Sequence, residues 1–207
     1  MDSNWAAANL QAIRTLMERS AIYRRALAPV MTFTGLVGVV AAVAGAVFGI
    51  TSMPGFAIYW MCVSLAAIAG DFFLVRRQSL KDGEPFWSPP TRRVSQAMLP
   101  ALFVGCIAGN FRIIWAPDAQ DTILISLFWV LLYGCALHSA GFFMPRGIRW
   151  FAWSFLTAGS ALLIGFAVMP NWPPPKCGNA VMGAFFGVAQ LAYGIYLYFT
   201  EQQKNEA

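Results

Sequence analysis

The sequence predicts an all-α fold: a polytopic membrane helix bundle of six transmembrane helices preceded by an N-terminal amphipathic helix. Three observations carry that prediction. Six apolar runs, at residues 27–50, 54–75, 96–115, 122–143, 148–169 and 179–199, each match the ~20 residues a helix needs to cross a ~30 Å hydrocarbon layer. Of the 207 residues, 58% are hydrophobic and only 11% charged, where a soluble domain carries about 25%. The basic residues sit in the short segments between the runs, almost all on one side.

That charge distribution sets the expected orientation. Arg14, Arg19, Arg24, Arg25, Arg76, Arg77, Lys81, Arg92, Arg93, Arg146, Arg149 and Lys204 fall on one side; only Arg112 and Lys176 fall on the other. The positive-inside rule then puts both termini in the cytoplasm, and an even number of spans requires the two termini to share a side. The net charge of +5 is thereby a topology signal and not a nucleic-acid signature. Once the spans are removed, no stretch could bury a second core. The expected organisation is an interfacial segment at 1–26, a transmembrane domain at 27–199 and a cytoplasmic tail at 200–207.

In chain order, Asp2, Ser3 or Asn4 can cap a helix on which Leu10, Ile13 and Met17 share one face and Arg14, Glu18 and Arg19 another. This helix is expected on the inner leaflet, with Arg24 and Arg25 at the headgroups. No secretory signal precedes the first run. The first outer connection, Thr51 to Pro54, makes a tight hairpin. The second, 76–94, is basic, and Pro85, Pro89 and Pro90 are expected to deny it a regular helix. Its Arg76, Arg77, Arg92 and Arg93 suit anionic lipid headgroups or a soluble protein partner. Connections near Ala116–Asp121 and Pro170–Gly178 face outward; Asn171-Trp172-Pro173-Pro174-Pro175 is stiff and extended. Trp115 and Trp172 mark one membrane boundary, and Trp150, Trp153, Tyr196 and Tyr198 the other, as aromatic belts.

Few residues offer chemistry. Lys81, Lys176 and Lys204 all lie outside the spans, so no Schiff base forms in the core. The single histidine, His138, cannot build a bis-histidine haem site within one chain. Cys62, Cys106 and Cys135 lie in spans and Cys177 in an outer loop, with neither disulfide nor metal-ligand spacing. Catalytic residues, metal and cofactor are all expected to be absent. What remains is a polar set inside the spans: Asp71, Asn110, Arg112, His138 and Gln190. Helical spacing places most of it on small-residue stripes. These are Thr34, Gly38, Ala41, Gly45 and Gly49 on the first span, and Trp60, Ser64, Ala67 and Asp71 on the second. The third carries Gly105, Gly109 and Arg112, the fourth Gly134, His138 and Gly141, and the sixth Gly183, Gly187, Gln190 and Gly194.

Such stripes let helix backbones approach, so Gly45, Gly49, Gly105, Gly109, Gly183 and Gly187 are the expected packing positions and the polar residues on the stripes point inward. Asp71 and His138 each lie about five or six residues from the basic end of their spans, hence at similar depth at ~1.5 Å per residue. An Asp71–His138 pair is one reading. The other has Asp71 pairing with Arg76, Arg77 or Arg146 while His138 is a helix–helix contact. Arg112 can snorkel to the surface, pair with Asp118 or Asp121, or bind an anion. Asn110, off its stripe, meets a neighbour or a water.

Ile13-Arg14-Thr15-Leu16-Met17-Glu18-Arg19-Ser20, running into a glycine- and alanine-rich span, resembles the opening of a family of small bacterial six-span integral membrane proteins with no assigned activity. Leu132-Tyr133-Gly134, Gly141-Phe142-Phe143-Met144-Pro145-Arg146 and the Phe186-Gly187…Gln190…Tyr193-Gly194 pattern are similar to that family too. The chain departs from it at Gln190, where a histidine is expected, and at Met144-Pro145. The resemblance implies a protein of the bacterial inner (plasma) membrane and transfers no catalytic residue.

Two functions follow. The first is an accessory, sensor or anchoring component that meets lipids and a protein partner, or itself, through the small-residue stripes, with no role for nucleic acid. The alternative is a transporter or channel for a small solute, proton or lipid, using the inward polar set. An intramembrane enzyme would need a nucleophile–base or metal constellation that these residues do not make. Geometry separates the two: convergence of the polar set on one cavity favours the carrier, separate satisfaction of each residue between packed helices favours the accessory component.

Overall fold

The computed structural model describes residues 27–83, 87, 89–115, 121–169 and 177–205, and among these it contains helices and turns but no strand. Helices α1 (Leu27–Val47), α2 (Met53–Asp82), α3 (Pro89–Trp115), α4 (Asp121–Ala140) and α5 (Arg146–Val168) follow in order. The sixth, α6, runs without a break through Gly178–Met182, a π-helical stretch Gly183–Ala189 and Gln190–Asn205. All six are long and apolar enough to span a membrane. The expected amphipathic helix with Arg24 and Arg25, and the segments 116–120 and 170–176, lie outside the described residues.

The connection expected as irregular over 76–94 is largely helical. α2 continues past Arg76 and Arg77 to Asp82 and stops at Gly83, whose φ of 65° takes the left-handed turn and whose N–H bonds the Ser79 carbonyl. Pro89 and Pro90 open α3. Proline breaks a helix interior, but in the first turn its missing N–H would have had no partner. These prolines start a helix rather than prevent one.

The exterior is apolar, as lipid requires. Val47, Phe48, Leu65, Phe103, Ile164 and Phe199 are all more than half exposed, while Thr122, Ser126, Asn179 and Gln190 are buried. α1 runs antiparallel to both α2 and α6. Across α1 and α2, Thr34 meets Asp71 and Ala41 meets Tyr59. Across α1 and α6, Gly35 meets Leu191 and Gly45 meets Asn179.

Glycine sets how closely these helices approach. A Cβ on Gly187 would lie 2.8 Å from the Val39 nitrogen, and one on Gly183 2.5 Å from the Ala42 Cβ. The stripes of α1 and α6 are therefore occupied by each other. On α3, Gly105 and Gly109 make room for Trp129 of α4. Its Nε1 donates to the Gly105 carbonyl at 2.9 Å, and a Cβ on Gly109 would fall 2.8 Å from its ring. Gly45 accommodates the Asn179 side chain. Gly49 does not pack: it lies beyond the end of α1 at φ 64° with open space around it, so it reverses the chain toward α2.

α4 is the most buried helix. Ile123, Leu127, Val130 and Ala136 have no exposed surface, and α3, α5 and α6 all pack on it, with α2 touching it more lightly.

Candidate functional site, a cavity within the membrane span

α1, α2, α3, α4 and α6 surround a cavity of about 310 Å³. The second-span stripe supplies one wall: Trp60, Ser64, Ala67 and Asp71, spaced four, three and four residues apart, all line it. Trp129 and Tyr133 come from α4, and Phe186 and Gln190 from α6.

The polar groups gather around Asp71. The Thr34 hydroxyl of α1 lies 3.0 Å from both Oδ1 and Oδ2 of that carboxylate. One hydroxyl has one proton, so the two oxygens share a single donor although they can accept about four bonds. No cation among the described residues pairs with Asp71.

Gln190 is the second polar wall group. It has no exposed surface, and neither Oε1 nor Nε2 has a hydrogen-bond partner among the described residues. The Tyr133 hydroxyl is a neighbour of that amide, yet it does not reach hydrogen-bonding geometry with either amide atom. Tyr133 itself is held by Phe155 and Phe186, with ring centroids 5.6 and 5.1 Å away. A buried amide group without a partner costs about 1–3 kcal/mol. The π-helical stretch ends at Ala189, immediately before Gln190. Such an insertion alters the angular register of the residues that follow it and is frequent where a helix carries a functional group.

At the far end of the same wall, Asn179 acts as a clamp. Its Oδ1 accepts from Trp60 Nε1 and its Nδ2 donates to the Ile50 carbonyl, both at 2.9 Å. It fixes the indole that walls the cavity and ties α2 and α6 to the α1–α2 turn.

The remaining polar residues do not join the site. His138 packs edge-on against Phe142 and Trp153, with centroids 5.4 and 5.8 Å apart, and Arg149 stacks over Phe142 at 5.5 Å. The Asp71–His138 pair is not formed, and Asp71 pairs with no arginine among the described residues. Depth matched, but direction did not: Gly134, His138 and Gly141 lie on the side of α4 turned to α5, while Tyr133 lies on the side turned to the cavity. Asn110 is exposed and donates to the Cys106 carbonyl of its own helix at 2.9 Å. The Arg112 side chain lies outside the described residues. Arg76, Arg77, Arg92 and Arg93 are exposed on α2 and α3, beyond Asp71 toward the basic end. Among the described residues the cysteines are free and no group of potential metal ligands assembles. Replacing His138 by Gln is therefore expected to leave cavity binding within about twofold of wild type and to cost about 1 kcal/mol of stability from lost ring contacts. Ligand titration and thermal unfolding of the purified variant check both.

The polar partners missing from the sequence reading were Thr34, Tyr133 and Asn179. A signal for the first existed. Thr34 and Asp71 stand on the stripes of consecutive helices joined by the short turn at 48–52, so an antiparallel hairpin lays those stripes side by side. Tyr133 and Asn179 had no comparable signal, because they meet their neighbours across helices distant in sequence.

No family model, curated protein or solved structure matches this chain.

Proposed function

We propose that this protein is a multi-pass membrane protein that binds and carries a small molecule drawn from the bilayer, held in the cavity by Asp71 and Gln190. The observation that carries this reading is Gln190: a fully buried amide with both polar atoms unpartnered among the described residues, on the wall of a cavity that is otherwise mostly apolar. An amide kept in that state suits a ligand that completes its bonds, and the cavity volume falls within the roughly 300–1,000 Å³ of small-molecule sites. The accessory role drew on a basic cytoplasmic face and on small-residue stripes suited to association; of these, the stripes of α1 and α6 are engaged with each other. The basic residues favour an orientation with both termini in the cytoplasm, in the plasma membrane, with Asp71 in the inner half of the bilayer.

The test is native mass spectrometry of protein purified from its own membrane in mild detergent. Ala67 is buried on the cavity wall, so Ala67→Trp fills the space. Wild type is expected to retain a small molecule that the folded Ala67→Trp variant lacks. Identical adducts on both proteins would oppose the reading.

A further inference from the structure

We propose that the molecule taken up is a protonated organic amine with a compact apolar body, and that it reaches the cavity sideways from the lipid, between α2 and α3. This rests on the cavity being a binding site and adds the chemical class and the path.

The class follows from what lines the polar end. Asp71 offers a carboxylate inside the span with one shared hydroxyl donor and no cationic partner among the described residues. Intramembrane carboxylates characteristically pair with an opposite charge, and an ammonium group brings that charge together with up to three N–H donors. One donor can go to Asp71 and another to Gln190 Oε1, which has none among the described residues. Trp60, Trp129, Tyr133 and Phe186 line the same space, and aromatic faces attract cations, most of all when water is excluded. An anion would meet the Asp71 charge at close range. A hydrocarbon would leave the Gln190 amide without partners. At ~30 Å³ for each water-sized group, the cavity holds about ten non-hydrogen atoms.

The path follows from exposure. Leu65, Ile68 and Leu102 line the cavity and yet are 63%, 56% and 40% exposed on the lipid-facing surface. They mark a side opening between α2 and α3. α3 packs chiefly on α4 and only sparsely on α2, so these two helices can part with little loss of contact. Met61, Met98 and Met182 lie along the wall, and their unbranched chains adapt to occupants of different shape.

The experiment uses the full-length protein in detergent at neutral pH, with tritiated 2-phenylethylammonium as probe and scintillation proximity as readout. Competitors are n-propylbenzene, its uncharged isostere, and 3-phenylpropionate, an anion of similar size. Saturable binding is expected, lost in Ala67→Trp, weakened at least tenfold in Asp71→Asn and partly restored in Asp71→Glu, with neither competitor displacing the probe at equal concentration. Circular dichroism and the melting temperature establish that each variant is folded. Displacement by n-propylbenzene or 3-phenylpropionate as effective as by unlabelled amine would overturn the assignment of an ammonium ligand, as would unchanged affinity in Asp71→Asn; either result leaves the cavity standing as a binding site. Absence of saturable binding would also overturn the amine. Full binding to a folded Ala67→Trp protein would instead overturn the cavity itself.

Discussion

Replacing Gly38 by leucine is expected to lower the stability of the bundle by about 3 kcal/mol, at the upper end of the range for overpacked interiors. A side chain at this position would run into the backbone of α6: its Cβ would meet the Phe186 carbonyl and lie 2.8 Å from the Gly187 nitrogen. Backbone atoms cannot rotate away as a side chain can, so α1 and α6 must separate. Because Gln190 lies three residues beyond Gly187, the same displacement moves the amide on the cavity wall. For a chain of this length the melting temperature should fall by roughly 10 °C, with loss of cavity binding. Gly49→Ala is the contrasting variant. Its position has open space but φ of 64°, so only the left-handed backbone penalty of about 1 kcal/mol applies, and the cavity stays intact.

Asn179→Leu is the second large effect. It removes the acceptor of Trp60 Nε1 and the donor to the Ile50 carbonyl. Hydrogen bonds between membrane helices average ~0.6 kcal/mol and reach ~1.7, and each partner left behind is an orphan in an apolar setting. The expected loss is about 2 kcal/mol. Trp60→Phe removes the donor itself, so the double variant should cost less than the two single losses combined, with a coupling of about 1 kcal/mol measured as a double-mutant cycle in detergent unfolding. Strict additivity would mean that the indole is held by packing alone.

The bundle was legible in the sequence because the bilayer imposes a length and a polarity on every span. The helix ends were less so. Pro89 and Pro90 were read as breakers, but proline acts oppositely at a first turn and in an interior, and the sequence does not say where a turn begins. For the site, the α2 stripe from Trp60 to Asp71 was legible because 3.6-residue periodicity fixes which residues share a face. Gln190 was marked for the same reason. His138 shows the limit of that logic. Periodicity gives a residue's face and depth on its own helix, but not which neighbour that face turns toward, and His138 turns to Trp153 of α5 and not to Asp71. The α1–α2 hairpin is a partial exception: its short turn fixes which helix the α2 stripe faces, although not that Thr34 is the residue that meets Asp71.

The proposed site against Asp71 and Gln190 is reached through the lipid-facing gap between α2 and α3. The most direct test is photolabelling of the protein in vesicles with a diazirine analogue of 2-phenylethylamine, followed by peptide mapping. Label should appear on cavity residues such as Met61 and Met98 and should fall away when unlabelled amine is added in excess, while label on the outward-facing Phe103 and Phe111 persists. Label confined to outward-facing residues, or cavity label insensitive to competitor, would mean that no such site is occupied.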